Sequence, residues 1–305
     1  MSRIFDALQR SGTEQSGVEY PDMISVATAV FETPRAQESA QVAVDERIPS
    51  VEPTVEEALA APSLPEAATN SINFPSLEVS VTPASRLVFL SQPESLAAEK
   101  FRFLGVRLRQ MRQNRPLKKV LVTSTIPEEG KSLVSANLAG VLARRKERVL
   151  LIEGDMRRPV LASQMGLGRL AGLAEWLQGG FEAPANIYQL VGPGFWMMPA
   201  GDPPANTLEL MQSGRLSKLM NQLGTMFDWI IVDSPPLLPL ADTTVWGRLT
   251  DGTLLVAREG KTEKKSLQRG IEAIRKSDLL GVVLNGCTDA EHDNYYNRYS
   301  PSPSK

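Results

Sequence analysis

Cysteine and histidine are nearly absent: Cys287 and His292 are the only ones in 305 residues. One cysteine excludes a disulfide framework and a multi-cysteine metal site, and one histidine removes His-based catalytic triads from consideration. Such cysteine usage fits a reducing compartment. No apolar run approaches the roughly 20 residues that span a bilayer, and the opening MSRIFDALQRSG lacks the apolar core of a secretory signal. The chain is therefore expected in the cytoplasm. Aromatic residues make up only 6%, and the basic residues are not interleaved with a stacking platform, which counts against nucleic acid as a partner. Basic residues are scarce early on: from Ser11 to Ser80 twelve acids stand against Arg35 and Arg47. With scattered prolines and no sustained period, that segment buries too little apolar surface to offset its chain entropy and reads as disordered. The 33 basic and 35 acidic residues of the chain divide as four and thirteen in residues 1–80, and as 29 and 22 in residues 81–305. Near-neutrality thus hides a basic domain behind an acidic stretch.

What is present begins with a short peptide. Ser2 to Gln9 sets Ile4, Phe5 and Leu8 on one helical face, with Arg10, Ser11 and Gly12 as a stop. It reads either as a fraying amphipathic turn or as a docking peptide on a long tether. Beyond the linker, the chain is organised around KKVLVTSTIPEEGKSLVSANLAGVLAR, residues 118–144. Val120, Leu121 and Val122 form a β-rich run, and helical spacing takes over from Leu133 through Ala136, Leu138, Val141 and Leu142. Between them, Gly130, Lys131 and Ser132 match the end of the G-x-x-x-x-G-K-S/T phosphate loop. There backbone N–H groups cradle phosphates, the lysine reaches the β- and γ-phosphates and the hydroxyl binds Mg²⁺. Thr125 stands where the first glycine would be. Glu128 and Glu129 add two carboxylates beside a triphosphate, so both are expected to turn outward to solvent. As a lone motif, this remains compatible with an ordinary capped turn.

Two acidic strand ends strengthen it. RVLLIEGD, residues 148–155, is a continuous apolar run ending in Glu153 and Asp155, with Arg157, Arg158 and Pro159 at once behind. WIIVD, residues 229–233, runs four apolar residues into Asp233, the Walker B pattern that holds the Mg²⁺ water shell. A strand ending in Asp is common as a turn, but paired with the phosphate loop about a hundred residues earlier it gains weight. A basic helix is predicted from Ser95 to Met111, with Leu96, Phe101, Leu104 and Leu108 inward and Arg102, Arg107, Arg109 and Arg112 largely outward. Further helices are expected at 173–177, 208–223 and 266–276, and strands at 195–198, 253–257 and 281–285. These elements predict an α/β fold of P-loop NTPase type, a mostly parallel β-sheet flanked by helices, with a disordered N-terminal segment. The expected divisions are 1–82 for peptide and linker, 83–290 for the nucleotide domain and 291–305 for a flexible tail.

From about Arg86 onward the chain resembles the bacterial tyrosine kinases (BY-kinases) of the CpsD/CapB type. TSTIPEEGKS, VLLIEGDMRRP, MPAGDPPANTLELMQS, FDWIIVDSPPLL, ADTTVWGRLTDGTLLVAREGKT and GVVLNG occur in that family's order and spacing, followed by tyrosines. The resemblance implies a protein-tyrosine autokinase of exopolysaccharide or capsule synthesis that uses ATP and Mg²⁺. It implies a membrane-embedded Wzz-type partner that activates it at the inner face of the membrane, self-association into a ring, and a cognate tyrosine phosphatase. It assigns Thr125, Pro127, Glu129, Gly130, Lys131, Ser132 and Leu133 to the nucleotide loop, Glu153 and Asp155 to the second acidic motif (Walker A′), and Asp233 to Walker B. Ser132, Asp155 and Asp233 would meet the metal, and Asn285 matches a position that meets adenine in related ATPases. The family usually has Asp at Glu153 and often Gly at Glu128. Its Glu-x-x-Arg-x-x-Arg ring motif starts at Glu99 and Arg102 but holds Gly105 in the third place.

A tyrosine hydroxyl has a pKa near 10, so a carboxylate must take its proton during transfer, with Asp155 the first candidate base and Glu153 the second. Alternatively, both acids only hold the metal's water shell. Restoring Asp at 153 is expected to preserve or raise activity. Three of the five tyrosines, Tyr295, Tyr296 and Tyr299, lie in the last eleven residues. They are expected acceptors, phosphorylated between molecules, and each added phosphate is expected to be repelled by an acidic site. Two other classes share the fold. A septum-placing or chromosome-partition ATPase would carry a second lysine where this chain has Ile126, and a nucleotide-binding scaffold without catalysis is compatible with the Glu128 and Glu153 departures.

Overall fold

The computed structural model describes residues 74–79, 86–179, 184–238, 241–275 and 278–287. The peptide at Ser2 to Gln9, the linker up to residue 73, and Tyr295, Tyr296 and Tyr299 lie outside the described residues.

The chain opens with β1 (Ser76–Glu78), α1 (Val88–Ser91) and α2 (Leu96–Asn114), then β2 (Lys119–Ser124), α3 (Lys131–Ala143) and β3 (Val149–Glu153). Short helices α4 (Leu161–Gln164) and α5 (Leu173–Gln178) lead to β4 (Tyr188–Val191) and β5 (Phe195–Met198). After them come α6 (Thr207–Gln212), α7 (Arg215–Met226), β6 (Trp229–Asp233), α8 (Asp242–Leu249), β7 (Gly252–Arg258), α9 (Lys264–Ala273) and β8 (Leu279–Asn285). The eight strands form one sheet in the order β1-β4-β5-β3-β6-β2-β7-β8, parallel throughout except that β4 runs antiparallel to β5.

The continuous apolar runs of β2, β3 and β6 follow from burial on both sheet faces. Val120, Val122, Val149, Leu151 and Ile231 feed one core with α2 and α3. The alternating residues Leu121, Leu150, Ile152, Ile230 and Val232 feed the other, with Leu173, Leu219 and Trp246. Strand order brings the carboxyl ends of β2, β3 and β6 side by side: Asp233 is in register with both Val122 and Glu153. That convergence is the crevice where ligands bind in open α/β sheets.

Three expectations change. The sheet starts at Ser76, inside the stretch read as linker, and Phe74 stacks on Phe227 with ring centroids 6.1 Å apart. Two hydrophobic residues flanked by acids and prolines carry too little periodicity to signal a strand. The helix expected over 208–223 is two, because Gly214 turns at φ 77° between α6 and α7. Helix α2 does not leave all its arginines in solvent. Arg109 donates to Glu147 from Nε at 2.9 Å and Nη2 at 2.7 Å, and Arg112 lies 4.9 Å over the Trp229 ring. Gly105 is buried, so the third place of the ring motif faces Val141 and Leu142 of α3 instead of solvent.

Candidate active site

The loop between β2 and α3 is held from beneath by a carboxylate. Glu129 is fully buried and accepts hydrogen bonds from the Thr125 hydroxyl at 3.0 Å, from Ile126 N at 3.0 Å and from the Thr262 hydroxyl. The expectation that both glutamates face solvent therefore fails for Glu129, which serves the loop as an internal acceptor and keeps its curvature. Glu128 does turn outward. It takes a left-handed φ of 64°, which explains why glycine suits that position, and pairs with Lys261 at 2.6 Å. Lys261, with Arg258 and Arg158 nearby, holds the Glu128 carboxyl below the usual range. Gly130 closes the loop at φ 94°, and a Cβ there would lie 2.0 Å from Asn285 Nδ2. That amide donates to the Glu129 carbonyl at 2.9 Å, so Asn285 on β8 packs directly against the loop.

A cavity of about 930 Å³ opens above the loop. Of the sequence-predicted residues, Pro127, Gly130, Lys131, Ser132, Leu133, Asp155 and Asn285 line it. Thr125 and Glu129 stand behind it, and Asp233 lies buried below. Lys131 Nζ is 3.5 Å from Asp155 Oδ2, while Asp155 Oδ1 accepts from Arg158 N at 3.1 Å.

Asp233 is 1% exposed. Its Oδ1 accepts from the Ser135 hydroxyl at 3.2 Å, and its Oδ2 has no hydrogen-bond partner. Burial pushes the Asp233 carboxyl up to about 6, against the pull of Lys131 and of the Ser132 and Ser135 hydroxyls. A buried carboxylate oxygen left unpaired beside a serine hydroxyl suits a hydrated cation. Among the described residues no group of three His, Cys, Asp or Glu could hold a metal alone. Magnesium in phosphate sites takes one or two carboxylates and leaves the rest to water and phosphate, so Ser132, Asp233 and Asp155 fit it.

Glu153 departs from its expected role. Its Oε1 accepts from Val160 N at 2.6 Å and Leu161 N at 2.5 Å, and Oε2 from Ala200 N at 3.2 Å. Burial raises its carboxyl, while those amides pull the other way. With both oxygens committed to backbone, Glu153 is a brace for the start of α4 and the turn after β5, and it is not directed at an acceptor hydroxyl.

Sequence reasoning also missed the arginines. Arg86, Arg157, Arg158 and Arg258 line the cavity and are exposed, so its mouth is basic and the expected repulsion of phosphate by an acidic site does not follow. The run Arg157-Arg158 behind Asp155 was the visible signal. Arg86 had none, since only folding carries it to the loop.

The P-loop, the two acidic strand ends and the crevice define a nucleoside-triphosphate-binding α/β protein. Residues 120–299 match the family described as CobQ/CobB/MinD/ParA nucleotide binding domain. Tyrosine-protein kinase YwqD of Bacillus subtilis is 32% identical over 211 residues, covering 68% of this chain and 89% of that one. Tyrosine-protein kinase wzc of Salmonella typhimurium is 30% identical over 227 residues, covering 72% of this chain but only 32% of its own length. The kinase domain of Escherichia coli tyrosine kinase ETK superposes with a TM-score of 0.64 at 29% identity, over 67% of this chain and 81% of that one. The chain belongs to the bacterial tyrosine-protein kinases.

Proposed function

We propose that this cavity binds Mg-ATP and transfers the γ-phosphoryl group to tyrosines of a second copy of the chain, at Tyr295, Tyr296 and Tyr299. The observation that carries the reading is the convergence of Lys131, Asp155 and the unpaired Asp233 Oδ2 at one phosphate loop. Phosphoryl transfer needs mainly positioning and neutralisation of charge on the equatorial oxygens. Lys131 and the backbone N–H groups of the loop serve the phosphates, and Ser132 and Asp233 would hold a magnesium ion, which would supply positive charge against the phosphate oxygens. Asp155 receives the phenolic proton as the tyrosine oxygen bonds to phosphorus. The bond from phosphorus to the bridging oxygen breaks, and ADP leaves with that oxygen.

The resemblance to capsule and exopolysaccharide kinases supports a role in regulating such synthesis from the inner face of the membrane. Activation by a membrane-embedded Wzz-type partner, reversal by a tyrosine phosphatase and self-association belong to the same reading. Among the described residues no helix is long and apolar enough to cross a membrane.

The test is incubation of purified full-length protein with Mg-ATP and detection of phosphotyrosine. Wild type is expected to label and Lys131→Ala to lose the signal by roughly a hundredfold or more, the scale of losing a fixed charge at a transition state. Equal labelling of both would remove the loop from the reaction.

A further inference from the structure

Among the described residues three arginines at the cavity mouth enter no ion pair, although Arg158 and Arg258 lie near enough to Glu128 to lower its carboxyl. Of the cations lining it, Lys131 is paired with Asp155, and Arg157 makes a two-pronged pair with buried Asp242 at 2.7 and 3.2 Å. The exposed acid Glu128 is taken by Lys261. Arg86, Arg158 and Arg258 enter no ion pair among the described residues, although Arg258 donates to the Glu128 carbonyl at 3.3 Å.

Arg86 is held there by construction. Its backbone sits in the left-handed region at φ 49°, and its carbonyl accepts from the Nδ2 of Asn137, a fully buried residue of α3, at 3.0 Å. The Asn137 amide oxygen accepts from Phe89 N, and Leu87 and Phe89 are sunk in the core on either side of Val88. A strained residue tied to the phosphate-loop helix persists only where its surroundings over-determine it, and such positions cluster at functional sites.

We propose that Arg86 and Arg158 form a recognition site for acidic residues on the acceptor, and that the occupant is the segment at 289–293 of a second copy of this chain. The proposal rests on the kinase reading above. Asp289, Glu291 and Asp293 place three carboxylates in the six residues before Tyr295. Tyr295 and Tyr296 follow these three acids directly, whereas the six residues before Tyr20 hold two, Glu14 and Glu19, and Tyr188 is built into β4, its hydroxyl donating to the Ala171 carbonyl at 3.2 Å. Guanidinium groups and carboxylates pair in planar, two-pronged geometry, so the site both attracts the tail and sets its register before transfer. The phosphates on ATP are served deeper, by the loop amides and Lys131, which leaves the exposed arginines for the peptide.

The test uses full-length proteins: active kinase, Mg-ATP, and the inactive Lys131→Ala chain as acceptor. That acceptor carries either its natural acids or Asp289→Asn, Glu291→Gln and Asp293→Asn together. At acceptor concentrations below KM, the neutralised acceptor is expected to label about tenfold more slowly, with the gap narrowing as salt rises. A kinase carrying Arg86→Gln and Arg158→Gln is expected to lose the same factor on the natural acceptor and nothing further on the neutralised one. The corresponding Lys substitutions should recover part of the rate. Calorimetric affinity for ATP should stay within about twofold, because a loss confined to the acceptor leaves nucleotide binding alone. Equal rates on the two acceptors overturn the proposal, and so does a matching loss of ATP affinity, which assigns the arginines to the nucleotide. No labelling of either acceptor by a wild-type kinase that labels itself excludes transfer between molecules and with it the proposal, whereas no phosphotyrosine on any protein in the mixture defeats the kinase reading itself.

Discussion

Lys131 Nζ lies 3.5 Å from Asp155 Oδ2, so the cation meant for the phosphates and the candidate proton acceptor form an ion pair with each other. ATP must take the lysine away, and doing so frees the carboxylate for its own task. Both side chains are largely buried, at 13% and 7% exposure, so the pair is poorly screened and breaking it has a real cost. Asp155→Asn removes that competitor. We expect the variant to bind ATP at least as tightly as wild type in metal-free buffer, yet to transfer phosphate at least about tenfold more slowly. Calorimetry paired with single-turnover labelling separates the two effects. Weaker metal-free binding together with full labelling would contradict both roles.

Asp233 links the site to pH. Its carboxyl stands near 6 in the folded chain, above the ordinary carboxylate range, because burial disfavours the charge. Its charged form therefore costs stability above pH 6, and the cost fades as pH falls toward the unfolded value, where the folded state has already taken up the proton. Asp233→Asn is expected to melt higher than wild type at pH 7.5 without metal or nucleotide, on the order of 1–3 kcal/mol, with the difference shrinking near pH 4–5. The same variant should lose most kinase activity. A lower melting temperature at pH 7.5 would show the carboxylate to be structural.

Glu153→Asp runs against the family-based expectation. The side chain reaches Val160 N and Leu161 N with one oxygen and Ala200 N with the other. An aspartate is one methylene too short to satisfy both sides, and a buried amide left unpaired costs about 1–3 kcal/mol. A drop in melting temperature and in labelling is expected. Unchanged melting would mean that the turns follow the shorter side chain.

Where the chain is cut should matter. A protein lacking residues 1–71 keeps β1 and the stack of Phe74 on Phe227, whereas one lacking residues 1–80 loses both. The longer truncation should melt lower by roughly 3–10 °C, from an edge strand and an aromatic pair worth a few kcal/mol. Identical melting curves would show β1 to contribute nothing.

Replacing Tyr295, Tyr296 and Tyr299 together by Phe is expected to remove most autophosphorylation while ATP affinity stays unchanged. The three lie in the last eleven residues, after the final strand β8 in sequence. Mass spectrometry that finds the phosphate chiefly on Tyr20 or Tyr188 would redirect the reaction.

Local chemistry was enough to read the strand–loop–helix at 118–144, the acidic ends of β3 and β6 and the parallel α/β class, because apolar runs and loop motifs act over a few residues. Tyrosine kinase membership was legible too, from the order of the motifs in place of any single one. Other features depended on distant partners. Glu128 and Glu129 are neighbours of one residue type, yet one pairs with Lys261 at the surface and the other is buried against Thr262, 133 positions away. Glu153 and Asp155 look equivalent on the strand, but only Asp155 lines the cavity, since the amides of α4 and the turn at Ala200 claim the other. Arg86 reaches the phosphate loop through Asn137, 51 residues later in the chain. Sequence alone determined which chemical groups this protein has and the strands that carry them. The tertiary structure decided which of those groups stay free, because a buried carboxylate takes whatever hydrogen-bond donors folding brings to it, and only those left unsatisfied or exposed remain for a ligand.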